Sequence, residues 1–314
     1  MTRLTAALPL PALDLIVLGA VGGVAWWCWT RRGRTRVVPL ALAAAGACAA
    51  VWLVFLAAWG WHYQVPTLER RYGLSHGVAT EDTGASFARA TVAQLNALHA
   101  HAHAEPWPSR RDLPSVLRPR MEAVLPTLGA TSMPALPEPR HTLMDWYFRS
   151  AGIDGMTNPF GLEVIVGAEV LPVELPALVA HEYAHLAGFA DEADASVVAW
   201  LAGQGGGPAL RYSSALAVLP HLVSGLSLDT RRDVLAAVAP GPRADLEAIG
   251  RRLSRQRPWV RALAWWSYDG FLRANRVEEG VARYDAVARV LIAAADPVSG
   301  SLTRYPPPWP PPGH

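Results

Sequence analysis

Lysine is absent from this chain: all 28 basic residues are arginine, and against 26 acidic residues they leave a formal net charge of +2. So small an excess provides no basic face, which excludes nucleic acid as an expected partner. Cysteine is nearly absent too. Cys28 and Cys48 are the two, both in the apolar N-terminal region. The rest of the chain therefore has neither a disulfide framework nor a thiolate metal site. Charge of either sign is scarce, at 17 % of residues against 51 % hydrophobic ones. That is apolar for a soluble enzyme and too polar for a many-span transporter, so the molecule is expected to lie partly in lipid and partly in water. Methionine does not occur after Met156.

Two apolar runs fill the first sixty residues, at about 12–29 and 37–61. Each is close to the roughly 20 residues that cross a bilayer as a helix. Asp14, Trp26, Trp27, Trp29, Trp59 and Trp61 stand near the run ends, where interfacial residues belong. Between the runs lies "RRGRTR", with Arg31, Arg32, Arg34 and Arg36, against Arg3 before them and Arg70 and Arg71 after. The positive-inside rule puts that loop in the cytoplasm and the rest of the chain outside. A cleaved signal peptide is disfavoured, because the charge follows the first run instead of preceding it.

The expected fold is mostly α (α+β). A two-helix transmembrane hairpin covers 1–61, an extracytoplasmic domain 62–302, and a proline-rich tail 303–314, whose "YPPPWPPPGH" can only be extended. The expected location is the cytoplasmic (inner) membrane, with the lipid bilayer as a partner. Within the domain, periodicity predicts helices over 85–104, 112–124 and 176–187, and over most of 195–296 with breaks near Gly205–Pro208, Pro240–Pro242 and Pro258. "LEVIVGAEVL", 162–171, is β-branched and partly alternating and reads as a strand, with Glu163 facing outward.

The chemistry concentrates in "HEYAHLAGFADEADAS", 181–196. On a helix, positions four apart share a face about 6 Å apart along the axis, so His181 and His185 can reach one ion. Glu182 projects beside them, near enough to touch a water held there, which is the H-E-x-x-H arrangement of zinc peptidases. "LPALVA" before the motif makes the helix apolar elsewhere, and a buried helix carries such groups only where something satisfies them. Gly188 is a natural helix stop. For the third ligand, Asp191 stands where H-E-x-x-H-x-x-G-x-x-(H/D) enzymes place theirs, but those need a downstream methionine turn, which this chain lacks. Glu192 and Asp194 remain, pointing about 200° apart on the next helix, so only one can face the ion. Glu192 with Ser196 imperfectly mirrors the E-x-x-x-D element of HtpX-like membrane peptidases, and is favoured over Asp194.

These residues resemble a family of bacterial membrane-anchored proteins of unknown function described as zinc metallopeptidases, with a signature near H-E-x-A-H-x-x-G-[FI]-A-x-E-x-E-A-N. Asp194 and Ser196 depart from it. "LPLPALDLIV", "WGWHYQVPTLERRYGL", "GIDGMTNPFGLEVIVG", "LRYSSAL" and "FLRANRVEEGVARYDAVARVL" extend the likeness over most of the chain. The resemblance implies a zinc site and an outward-facing domain, expected to be helical and zincin-like (gluzincin-type), but it supplies no substrate. The H-E-x-x-H chemistry makes a peptide or protein the expected partner. Tyr212 and Tyr284 fall in the later of these segments. They are candidates to donate a hydrogen bond to an oxyanion, with core packing as the alternative. The expected activity is peptide hydrolysis with Glu182 as general base. The alternative from another class is a non-catalytic, membrane-tethered zinc-binding scaffold. In "HAHAHAE", His99 and His103 share a helix face while His101 points away, and without neighbouring carboxylates this reads as a solvated helix end.

Overall fold

Prolines mark where the helices begin. In the computed structural model, which describes residues 8–30, 37–72, 80–130, 132–274 and 284–295, proline occupies the first or second position of five helices. There its missing N–H costs nothing and its fixed φ suits the first turn. The breaks expected at Pro208, Pro240 and Pro258 are such starts.

Helices α1 (Ala12–Thr30) and α2 (Val37–Ala58) come first. A 3-10 turn, Gly60–Gln64, and the short α3 (Leu68–Arg71) follow. Then come α4 (Glu81–Ala102), α5 (Leu113–Val124), α6 (Asp145–Ala151), strands β1 (Gly155–Asn158) and β2 (Glu163–Val166), and α7 (Leu175–Leu186). The chain continues through α8 (Glu192–Gln204), α9 (Pro208–Ser224), α10 (Leu228–Ala236), α11 (Pro240–Leu253), α12 (Pro258–Ala274) and α13 (Tyr284–Ala295). The fold is thus mostly helical with one small sheet. The expected tail, 303–314, and the arginine loop, 31–36, lie outside the described residues.

Helix α8 is the centre of the core. From Ala193 to Gly203 it is buried on every face except at Ser196, as expected of a helix apolar all round. It packs on α7 and α9, and α9 runs along α4, with Leu95, Val197, Leu219 and Leu291 among the buried contacts. Arg252, near the end of α11, ties this bundle to the segments that lead into β1 and α7. Its guanidinium donates to Asp154 at 2.6 and 3.0 Å and to Glu174 at 2.6 and 3.0 Å. Such bidentate geometry fixes direction as well as charge.

The strand expected over 162–171 is shorter and more enclosed than that. β2 spans Glu163–Val166 and pairs antiparallel with β1. On its other side Arg140 donates its N–H to the Val164 carbonyl at 2.9 Å and accepts from Val166 N–H at 2.8 Å. Glu163 does not face outward as expected: its side chain is 2 % exposed. The cause is the start of α1, whose first N–H groups need an acceptor. Ala12 and Leu13 N–H each donate to the Glu163 carboxylate at 3.0 Å, and Asn158 Nδ2 donates to it at 2.8 Å. Gly161 allows this approach, since a Cβ there would stand 3.0 Å from that of Ala12. Asp14 is buried in the same joint, accepting from Thr142 Oγ1 and from Leu143 N–H.

Among the described residues no helix is long and apolar enough to cross a membrane. Beyond the joint, α1 and α2 nevertheless expose Leu18, Val21, Val24, Leu42, Leu53 and Val54.

Replacing Glu163 by alanine leaves buried donors of α1 and of Asn158 unsatisfied. The expected cost is about 3 kcal/mol, read by chemical denaturation, with faster amide exchange at residues 12–14.

Candidate metal centre

The centre is built by two helix ends. α7 stops where Gly188 takes a left-handed conformation, φ +98°. Gly188 N–H donates to His185 O at 2.9 Å and Phe189 N–H to Ala184 O at 3.1 Å, a Schellman closure. The turn carries the Phe189 carbonyl back to His185 Nδ1, at 2.7 Å. Three residues on, Asp191 starts α8 by accepting from Ala193 and Asp194 N–H at 3.0 and 3.2 Å. Glu192, the first helical residue, then faces the two histidines. His181 Nε2 lies 3.1 Å and His185 Nε2 3.6 Å from the same oxygen, Glu192 Oε2.

Proton bookkeeping gives this convergence its meaning. A carbonyl oxygen only accepts, so His185 Nδ1 must carry a proton for the Phe189 carbonyl. Ser196 Oγ donates its proton to the Glu192 carbonyl at 2.8 Å, which leaves a lone pair 3.3 Å from His181 Nδ1. His181 Nδ1 therefore also carries a proton. In neutral imidazoles both Nε2 atoms are then bare lone pairs aimed at one anionic oxygen. The arrangement requires positive charge between them, either extra protons or a cation. Burial by itself lowers the His185 pKa, but the Glu192 carboxylate outweighs it and pushes the imidazole up to about 9. Desolvation raises the Glu192 carboxyl, yet His185 and His181 hold it well below the usual carboxylate range. Its stem remains open, with 52 % of the side chain exposed, while the carboxylate turns in to the rings.

The donor set also fits a cation by size. Tetrahedral donors about 2.0–2.1 Å from zinc stand roughly 3.4 Å apart, and the separations of 3.1 and 3.6 Å bracket that value. All three donor atoms lie within 4.8 Å of one another. Glu182 is not among them. It is buried against β1, where Thr157 Oγ1 donates to its Oε2 at 2.8 Å. Gly155 makes room for it, since a Cβ there would come within 2.8 Å of Glu182 Oε1.

Other expected site residues sit elsewhere. Asp194 does not join the histidines: its carboxylate, 3 % exposed, accepts from Leu68 N–H at 2.9 Å and anchors the start of α3. Asp191 is engaged as the helix cap. Tyr212 is fully buried and donates to Asp245 at 2.6 Å, beside the rings of His99, His103 and Trp107. It belongs to a different cluster, and burial, then Asp245, push its pKa up. Tyr284 opens α13, and its side chain lies outside the described residues.

The 3-10 turn supplies two residues that pattern reading missed. His62 packs on Gly188, where a Cβ would meet its ring at 3.0 Å. Tyr63 is largely enclosed near Glu192 and Asp191, and its pKa is pushed up to about 12 by burial first and then by Glu192. It therefore stays protonated, a hydroxyl donor beside the centre. Nothing periodic marks "WHYQ"; the only signal was its position just after an apolar run.

Ser196→Ala removes the partner of His181 Nδ1 without touching a donor atom. It is expected to weaken divalent-metal binding about 10-fold, measured by competition with a chromophoric chelator. Ser196→Asn, which also offers an acceptor, should keep most of the affinity.

No curated protein and no solved structure matches the chain. One family model does, over residues 1–292, that of a protein of unknown function, DUF3810. With most of its length covered, the chain belongs to the DUF3810 family.

Proposed function

We propose that this protein is a membrane-anchored, zinc-dependent metallopeptidase. The observation that carries the proposal is the convergence of His181 Nε2 and His185 Nε2 on one Glu192 carboxylate oxygen, with the buried Glu182 next to His181 on the same helix. His181, His185 and Glu192 would hold the zinc. Three protein donors, not four, are the pattern of catalytic rather than structural zinc, which favours the enzyme over a zinc-binding scaffold. When bound, zinc polarises a carbonyl and lowers the pKa of water.

The chain's own groups do the rest. Glu182 takes a proton from water and delivers it to the leaving amine. Thr157 holds Oε2 of that carboxylate, so Oε1, above Gly155, is the oxygen that moves the proton. Tyr63, whose hydroxyl burial and the Glu192 charge keep protonated, is a candidate to donate to developing negative charge. An extended peptide backbone fits along β1, whose edge away from β2 has no strand partner among the described residues. β2, flanked on both sides, is not available for that role.

The membrane part of the proposal rests on α1 and α2. Their 19 and 22 residues include a single charge, Asp14. Leu18, Val21 and Val24 of α1 and Leu42, Leu53 and Val54 of α2 are exposed, while Phe55, near the end of α2, is buried. Asp14 and the Glu163 joint sit at the start of α1, and in the sequence four arginines, within 31–36, separate α1 from α2. That polarity supports a cytoplasmic loop and a domain outside the cytoplasmic membrane.

Glu182→Gln is expected to keep zinc, counted by metal analysis, while hydrolysis of unstructured peptides falls 10²–10⁴-fold, an order-of-magnitude range for general-base loss. A wild-type protein that retains no zinc, or undiminished activity in the variant, would overturn the proposal.

A further inference from the structure

We propose a second divalent-metal site, formed by His99 and His103 of α4 and Asp245 of α11, separate from the centre on α7 and α8. His103 Nε2 lies 3.0 Å and His99 Nε2 3.7 Å from one oxygen, Asp245 Oδ2. These separations again bracket the roughly 3.4 Å between tetrahedral donors on zinc. The three donor atoms lie within 4.8 Å of one another.

The surroundings are shaped for these donors. Gly241 and Asp245 are four apart on α11 and share a face. The His99 ring occupies the space above Gly241, where a Cβ would stand 2.5–2.8 Å from three of its atoms. Any side chain at 241 would push the ring off Asp245. On the other side, Tyr212 donates to the same Asp245 Oδ2 at 2.6 Å, and so orients the carboxylate from a fully buried position. Supporting hydrogen bonds of this kind are what hold metal ligands in place. Trp107 stands edge-on to His103, with ring centroids 5.4 Å apart, and the two imidazoles are 4.5 Å from each other.

The ligand chemistry is that of a zinc-class cation. Two imidazoles and a carboxylate suit zinc and its neighbours, whereas calcium and magnesium require oxygen donors. The ligand side chains keep 30, 33 and 17 % of their surface exposed, so an ion can enter from solvent. α4 and α11 lie far apart in sequence, and an ion between them would cross-link two helices of the bundle. The proposal assigns this site metal binding alone and no catalytic step.

The test uses the full chain stripped by chelator, then loaded with Zn²⁺ and desalted, with bound zinc counted. The wild type is expected to hold two ions, His103→Gln and Asp245→Asn one each, and the double variant His103→Gln/His181→Gln none. Zinc should raise the thermal midpoint less in the His103 and Asp245 variants than in the wild type, while midpoints in EDTA stay equal, which separates a lost ion from a lost fold. Loading of the His103 and Asp245 variants equal to the wild type would overturn the second site. If instead His181→Gln loads like the wild type while these two variants lose an ion, the α7–α8 centre fails and the second site stands.

Discussion

Two imidazole Nε2 atoms converge on one carboxylate oxygen, an arrangement that is repulsive for neutral rings with both protons on Nδ1, and the fold goes to some length to maintain it. Each Nδ1 is committed to an acceptor: the Phe189 carbonyl for His185, the Ser196 hydroxyl for His181. Neither ring can relieve the repulsion by exchanging tautomers without giving up its hydrogen bond. Positive charge is therefore demanded at that point by the backbone geometry of two helix ends. The left-handed Gly188, the Asp191 cap and the hydroxyl of Ser196 can each be understood from that demand.

The same logic separates the carboxylates that crowd this stretch. Asp191, Glu192 and Asp194 fall within four positions, yet they have three different tasks. One caps α8, one meets the histidines, and one receives the N–H of Leu68. A helix start needs an acceptor at its cap, and a buried aspartate needs a donor. Once those needs are met, only Glu192 remains for the rings. Departures from the resembled signature also acquire physical content here: serine at 196 keeps an acceptor against His181, and aspartate at 194 remains an anchor.

Much of this was legible in the sequence because it is local. Helical periodicity set His181 beside His185, glycine ended the helix, and prolines located the starts of later helices. Angular spacing allowed only one of Glu192 and Asp194 to face the histidines, and the likeness of Glu192 and Ser196 to an E-x-x-x-D element favoured Glu192. What escaped was everything that depends on distant chain segments meeting. Glu163 looked like an outward strand residue because its partner, the start of α1, lies 150 positions away. Tyr212 was read as a possible oxyanion donor, but its hydroxyl goes to Asp245, 33 positions on. In "HAHAHAE", His99 and His103 have no carboxylate at the three- or four-residue spacing that would share their helix face, and the fold supplies one from α11. His62 and Tyr63 reach the centre through a 3-10 turn that no periodic pattern announces.

The joint at Glu163 has a mechanical consequence. Its carboxylate grips the first turn of α1, its backbone pairs with Asn158, and the neighbouring residue of β1, Thr157, grips Glu182. From helix to base the path runs through one carboxylate, one rung of the hairpin and one hydroxyl, with no loop in between to absorb displacement. The hairpin is a short lever, through which a tilt of α1 would be passed to the Glu182 carboxylate beside the candidate metal centre.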